Sequence, residues 1–188
     1  MRCGTQGFPR CSAPGSRSVN ERNGLQVAEL TNLEAKLGEV IGLAMAAQGA
    51  TDKIAKLTGD RELKRQLKTM RSEAIAAEKG AAEVAGTFSG KKGAIMKEAR
   101  QVKRKATKMM STYLDRSADG LDGFEFLTMA EAAEVGHWTV LSELNKQAGH
   151  AGVRQLTRAQ LPIQKRHLKE AMDGSVKLAS KEDARARG

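Results

Sequence analysis

The apolar residues of this chain recur every three and four positions and rarely alternate, a period that admits little besides packed α-helices. Val27, Leu30, Leu33, Leu37, Val40, Ile41, Ala44 and Met45 form a first buried stripe, and Ile54 and Leu57 extend it past Gly49. Leu63, Leu67, Met70, Ala74, Ala77 and Ala81 form a second, over about 61–86. Ile95, Ala99, Val102, Ala106, Met109 and Tyr113 mark a helix over 91–114. Leu127, Ala130, Glu134, Trp138, Leu141 and Asn145 line one over about 124–148. Leu161, Gln164, Leu168, Ala171, Ser175 and Leu178 line the last, over about 155–180. Ala, Leu, Met, Lys, Arg and Glu, all good helix formers, dominate, with only three prolines to interrupt them.

Breaks fall where the chemistry of helix ends puts them. Gly59 is a stop, and the Asp60 carboxylate can accept the free N–H groups of the next first turn. Gly86, Ser89 and Gly90 separate the second helix from the third, and Gly149 ends the fourth. Pro162 stands in the first turns of the last helix or kinks it. Residues 115–123 read as a loop. Their Asp and Gly density suggests an EF-hand, but no glutamate stands at the twelfth position, which excludes one. The expected fold is all-α: an up-and-down bundle of four main helices, with an extra helix in the long connection between helices two and three.

At 188 residues the chain is long enough for a core of its own. Residues 1–23 hold two of the prolines among Gly, Ser, Asn and Arg and read as a disordered tail or sequence upstream of the true start. The bundle then spans 24–180, and 181–188 is a frayed polar end. Cys3 and Cys11 both lie in the tail, so neither can staple the core, and a cysteine-free core fits a cytoplasmic protein. No run of about 18 apolar residues occurs, so no transmembrane helix is expected. The start lacks the apolar segment of a secretory signal.

Charge is unevenly spread. The formal net charge is +10. Residues 91–110 carry eight Lys or Arg against the single acid Glu98, a net +7 in one amphipathic helix. Lys92, Lys97, Arg100, Lys103, Arg104, Lys105 and Lys108 share its polar side. Such a face can track phosphates by counterion release, or it is simply solvated. Aromatic residues make up 3% of the chain, so stacking on single-stranded bases is not supported.

Two spacings carry possible chemistry. Glu134 and His137 stand three apart in the fourth helix, and Gln164 and His167 three apart in the last. Glu-x-x-His projected inward from a bundle is a way of holding iron, manganese or zinc on oxygen and nitrogen. Gln164 is neutral and cannot bridge two cations as a carboxylate does. A histidine beside an apolar stripe can equally be packed and hydrogen-bonded. No nucleophile with a base, no phosphate-binding glycine loop and no zinc spacing occurs, so a hydrolase or nucleotide enzyme is not expected. His150, between two glycine-bearing turns, reads as solvated.

Residues 25–180 resemble the ferritin-like superfamily, and most closely its YciF-type stress-protein branch. The resemblance is carried by Glu134-Val135-Gly136-His137-Trp138, by Leu30-Thr31-Asn32-Leu33-Glu34 and by Asp60-Arg61-Glu62-Leu63-Lys64. It implies that Glu34 is an inward metal ligand from the opening helix. The implied metal set is then Glu34, Glu134, His137, Gln164 and His167. The chain departs from the family in its second helix, where Leu67-Lys68-Thr69-Met70 has no histidine and only Glu73 is near. With Glu131 as a further acid, the set suits one metal ion better than two. The expected function is therefore a ferritin-like bundle with a reduced or vestigial carboxylate/histidine site and a stress-related role, not an enzyme. The alternatives are a basic bundle that binds nucleic acid non-specifically through helix 91–108, and a non-catalytic structural protein. A homodimer is the expected assembly.

Overall fold

Five α-helices account for most of residues 29–186, the part of the chain that the computed structural model describes. They are α1 Asn32–Leu57, α2 Arg61–Ala85, α3 Lys92–Tyr113, α4 Gly120–Ala148 and α5 Ala151–Ala179. The expectations for the tail 1–23, for Cys3 and Cys11 and for Val27 lie outside the described residues.

Local chemistry sets the ends. Asp60 caps α2 by accepting from the backbone N–H of Glu62 and Leu63, and Gly149 closes α4 at φ 69°, in the left-handed region. Three starts differ from the stripe-based reading. α1 opens at Asn32, because Thr31 and Glu34 form a reciprocal capping box. α4 opens at Gly120, because Asp119 and Asp122 do the same inside the segment read as a loop. α5 opens at Ala151, because the His150 ring nitrogen Nδ1 accepts from the Val153 N–H. His150 is not simply solvated: its ring stacks on Phe88 with centroids 4.4 Å apart. α5 runs through Pro162 unbroken; the carbonyl of Arg158, which loses its donor there, belongs to an exposed residue.

α1, α2, α5 and α4 close a ring in which each packs against the next and the diagonal pairs do not pack. Neighbours in the ring are antiparallel, as Gln48–Glu78, Glu73–His167, Phe124–Gly174 and Ile54–Gly123 show. α3 lies outside the ring against α1 and runs parallel to it. Gly38 and Gly42 permit this approach: a Cβ at Gly42 would stand 2.4 Å from the Ala99 carbonyl oxygen, and one at Gly38 2.8 Å from that of Ile95. Only Ile95 and Ala99 of α3 are buried.

The core has two apolar halves. One gathers Leu37, Val40, Ile41, Trp138, Leu141 and Val153; the other gathers Ile54, Leu63, Leu67, Phe124, Leu127 and Ala171. Burying each large side chain stabilises the fold by about 1.5–3 kcal/mol. Between the halves lies a polar layer of Thr51, Glu131, Glu134, Gln164 and His167, all buried. No described helix is long and apolar enough to cross a membrane.

Candidate functional site: a buried acid–imidazole layer

The polar layer is built by α2, α4 and α5. On α4, Glu131, Glu134 and Trp138 follow the three-and-four rhythm of the inner stripe, so both carboxyls face the core. On α5, Gln160, Gln164 and His167 do likewise. Glu73 reaches in from α2 at the edge of the Met70–Ala74–Ala77 stripe.

His167 is the centre of this layer and is 2% exposed. Its Nε2 bonds Glu73 Oε2 at 2.6 Å, and the same carboxylate takes a charged hydrogen bond from Arg166. Its Nδ1 stands 3.7 Å from Glu131 Oε2, close enough for charge attraction but too long for a hydrogen bond. Burial alone would lower the imidazole pKa; Glu131 and Glu73 outweigh it and raise it. Burial alone would raise Glu73; His167 and Arg166 outweigh it and hold that carboxyl low. Glu134 is pushed well above the usual carboxylate range, first by burial and then by the charge of Glu131. The Trp138 indole offsets this in part, although Nε1 closes no hydrogen bond.

Several buried acceptors in and beside the layer have no donor. Glu131 Oε2, Gln164 Oε1 and Gln160 Oε1 are buried without a hydrogen-bond partner. A buried oxygen without a donor costs about 1–3 kcal/mol, so each of these is an expensive element of a protein core.

The residues expected to hold a metal are divided by the fold. Glu134, Gln164 and His167 meet in the layer. Glu34 does not join them. Its Oε2 accepts from the Thr31 N–H at 2.8 Å in the first turn of α1. The level of the layer on α1 is near Gln48 and Thr51, about 20 Å further along at 1.5 Å per residue. His137 also points elsewhere: its Nδ1 pairs with Glu39 Oε2 of α1 at 2.9 Å. At about 100° per residue it sits some 120° around α4 from Glu131, off the inner stripe. The places they leave are filled by Glu131 and Glu73, the two acids that were reserves in the sequence reading. Glu131 was legible three residues before Glu134 on the stripe; nothing in the sequence paired Glu73 with His167. Among the described residues no three His, Cys, Asp or Glu side chains are already gathered as a metal-binding group.

The basic face is borne out as a surface. Lys92, Lys97, Arg100, Lys103, Arg104, Lys105 and Lys108 are all exposed on α3. None of them forms an ion pair with another described residue.

These features define an all-α, five-helix bundle with a polar layer across its core. No protein-family model matches the chain, and no curated protein or solved structure matches it.

Proposed function

We propose that the chain is a ferritin-like bundle whose polar layer holds one metal ion, a reduced form of a carboxylate/histidine centre, without oxidase chemistry. The observation that carries this reading is that Glu131 Oε2 and Gln164 Oε1, in the same layer as His167, are buried acceptors without donors. A cation supplies what those oxygens lack. The donor set is carboxylate, amide oxygen and imidazole, which suits iron, manganese or zinc. His167 Nδ1 and Glu131 Oε2, 3.7 Å apart, have nearly the separation of two ligands that each lie about 2.1 Å from one ion. Glu73 on the opposite ring nitrogen is the carboxylate partner that metal-bound histidines commonly have. The ligands would thus be Glu131, Glu134, Gln164 and His167, with Glu73 orienting the ring. The helix order, with a long connection between α2 and α4 that contains α3, supports the ferritin-like assignment. A stress-related role, a dimer and a cytoplasmic location go with that assignment.

The test is metal content of untagged protein after exposure to Fe(II), Mn(II) or Zn(II). About one ion per chain is expected, lost in His167→Ala and Glu131→Gln. Fewer than about 0.2 per chain with every metal removes the proposal.

A second reading rests on α3. Its seven cations, unpaired among the described residues, fit the backbone of double-stranded nucleic acid. A gel shift at about 50 mM salt that fades by about 200 mM is expected, since each neutralised phosphate contributes to the salt slope. No shift at low salt eliminates this reading.

A further inference from the structure

A cleft enters the bundle between α1, the C-terminal half of α3 and α4, on the opposite side of Glu131 and Glu134 from α2. Its walls are apolar, with Leu43, Ala47, Ala106, Met109, Met110 and Leu127 among them. Among the described residues, Glu131 and Glu134 are the only ionisable side chains that line it, and they are 3% and 5% exposed. Glu131 Oε2 has no hydrogen-bond partner. The cationic face of α3 contributes no residue to the lining. The cleft therefore offers methyl and methylene walls, buried carboxyl oxygens and, among the described residues, no cationic side chain in its lining.

We propose that this cleft binds a short-chain primary ammonium, with its alkyl body between α1 and α3 and its head on Glu131. The complementarity runs by exclusion as well as by fit. A carboxylate or phosphate ligand would meet two acids and no cationic side chain among the described residues of the lining, His167 standing outside it at 3.7 Å from Glu131 Oε2. A purely apolar ligand would leave the buried oxygen without a donor, which is the costly state. A neutral alcohol supplies a donor but no charge, and charge-assisted hydrogen bonds are about twice as strong as neutral ones. Size follows from the space. The cavity is about 50 Å³. At ~10–15 Å³ for each water-sized position it takes about four heavy atoms, the size of n-propylammonium. Met109, 41% exposed and unbranched, is the wall that can yield to a longer chain. This proposal needs no metal and is tested on chelator-treated protein.

The experiment follows the methionine methyl signals of the full chain by NMR while n-propylammonium chloride is added, with sodium chloride as the ionic-strength control. Saturable shifts of Met109 and Met110 are expected. Four heavy atoms at the best known efficiency bind no tighter than roughly 10⁻⁴ M, so a millimolar Kd is anticipated. n-Propanol should bind about tenfold more weakly or worse. Glu131→Gln should weaken the ammonium by a similar factor. Ala106→Leu, at the half-buried rim, should block the cleft while leaving zinc uptake unchanged, which separates this proposal from the metal reading. Shifts that never saturate, propanol binding as tightly as propylammonium, or full affinity in Ala106→Leu would each overturn it. The propanol and Ala106→Leu results decide the matter even if Glu131→Gln does not fold.

Discussion

Glu73 on α2 and His167 on α5 stand 94 residues apart in sequence and 2.6 Å apart in space, and their hydrogen bond ties two neighbouring helices of the ring. The bond is charge-assisted, because the imidazole pKa is raised and the carboxyl pKa lowered. His167 therefore contributes stability that is complete below its unfolded value near 6.5 and lost as pH rises through the higher folded value. Glu73 contributes above its unfolded value near 4.5 and loses that contribution as pH falls below it. Glu73→Gln should then cost about 1.5–3 kcal/mol near pH 6 and less at about pH 9. Urea unfolding of both proteins across that range measures it. A gap that is constant or grows with pH contradicts the ion pair.

Glu134 works in the other direction. Its folded pKa is raised, so between its unfolded and folded values the native state holds a proton that the unfolded chain releases. That is a destabilising contribution above pH ~4.5, and it vanishes once both states are protonated. Glu134→Gln should stabilise the metal-free protein at pH ~7–8 and change little at pH ~4. Each kcal/mol recovered raises Tm by about 2–4 °C in a domain of this size. A lower Tm at neutral pH would show that the carboxylate is better compensated than its surroundings indicate.

Two glycines of α1 should respond oppositely to alanine. At Gly42 the new Cβ would meet the Ala99 carbonyl at 2.4 Å, so α3 must move. Overpacking of this kind costs about 1–3 kcal/mol. At Gly49 nothing lies within 4 Å of the added Cβ. There the gain in helix propensity, about 0.5–1 kcal/mol, should appear undiminished. Thermal melts of the two variants decide it, and equal effects would mean that α3 does not rest on α1 as described.

The start of α2 carries a separate acid dependence. Asp60 caps the helix and pairs with Lys177 at 3.0 Å. Its hydrogen bond with Lys177, and next the Leu63 N–H, hold its pKa far below the usual range. Its contribution is present above its unfolded value near 3.8 and is lost as pH falls below it. Asn is as good an N-cap as Asp, so Asp60→Asn removes the charge and keeps the cap. The variant should be less stable at neutral pH and converge on the parent in strong acid. A gap that persists in acid would assign the effect to the cap alone.

Sequence periodicity located all five helices, because a helix that buries one stripe must repeat its apolar residues at three and four. End chemistry located the stop at Gly149 and the cap at Asp60, whereas α1 ends at Leu57 on an extended Thr58 rather than at Gly59. Periodicity missed three starts, since Thr31–Glu34, Asp119–Asp122 and His150 are capping chemistry, which carries no apolar signal. The same gap explains Glu34: Thr31-x-x-Glu34 is a capping box legible in the sequence, and that hydrogen bond holds the carboxylate at the end of the helix.

The inner stripes placed Glu134 and Gln164 toward the core, and the spacing of three put His167 on the face of Gln164. They could not determine which carboxylate meets His167, because a stripe gives an angle around one helix and no register between two. Only the packed ring decided that Glu131 and Glu73 flank the imidazole while His137 turns to Glu39. The antiparallel pairing of α2, α4 and α5 sets the heights at which their side chains meet. The angle of about 60° between Glu134 and His137 around α4 is enough to send one inward and the other to the α1 seam.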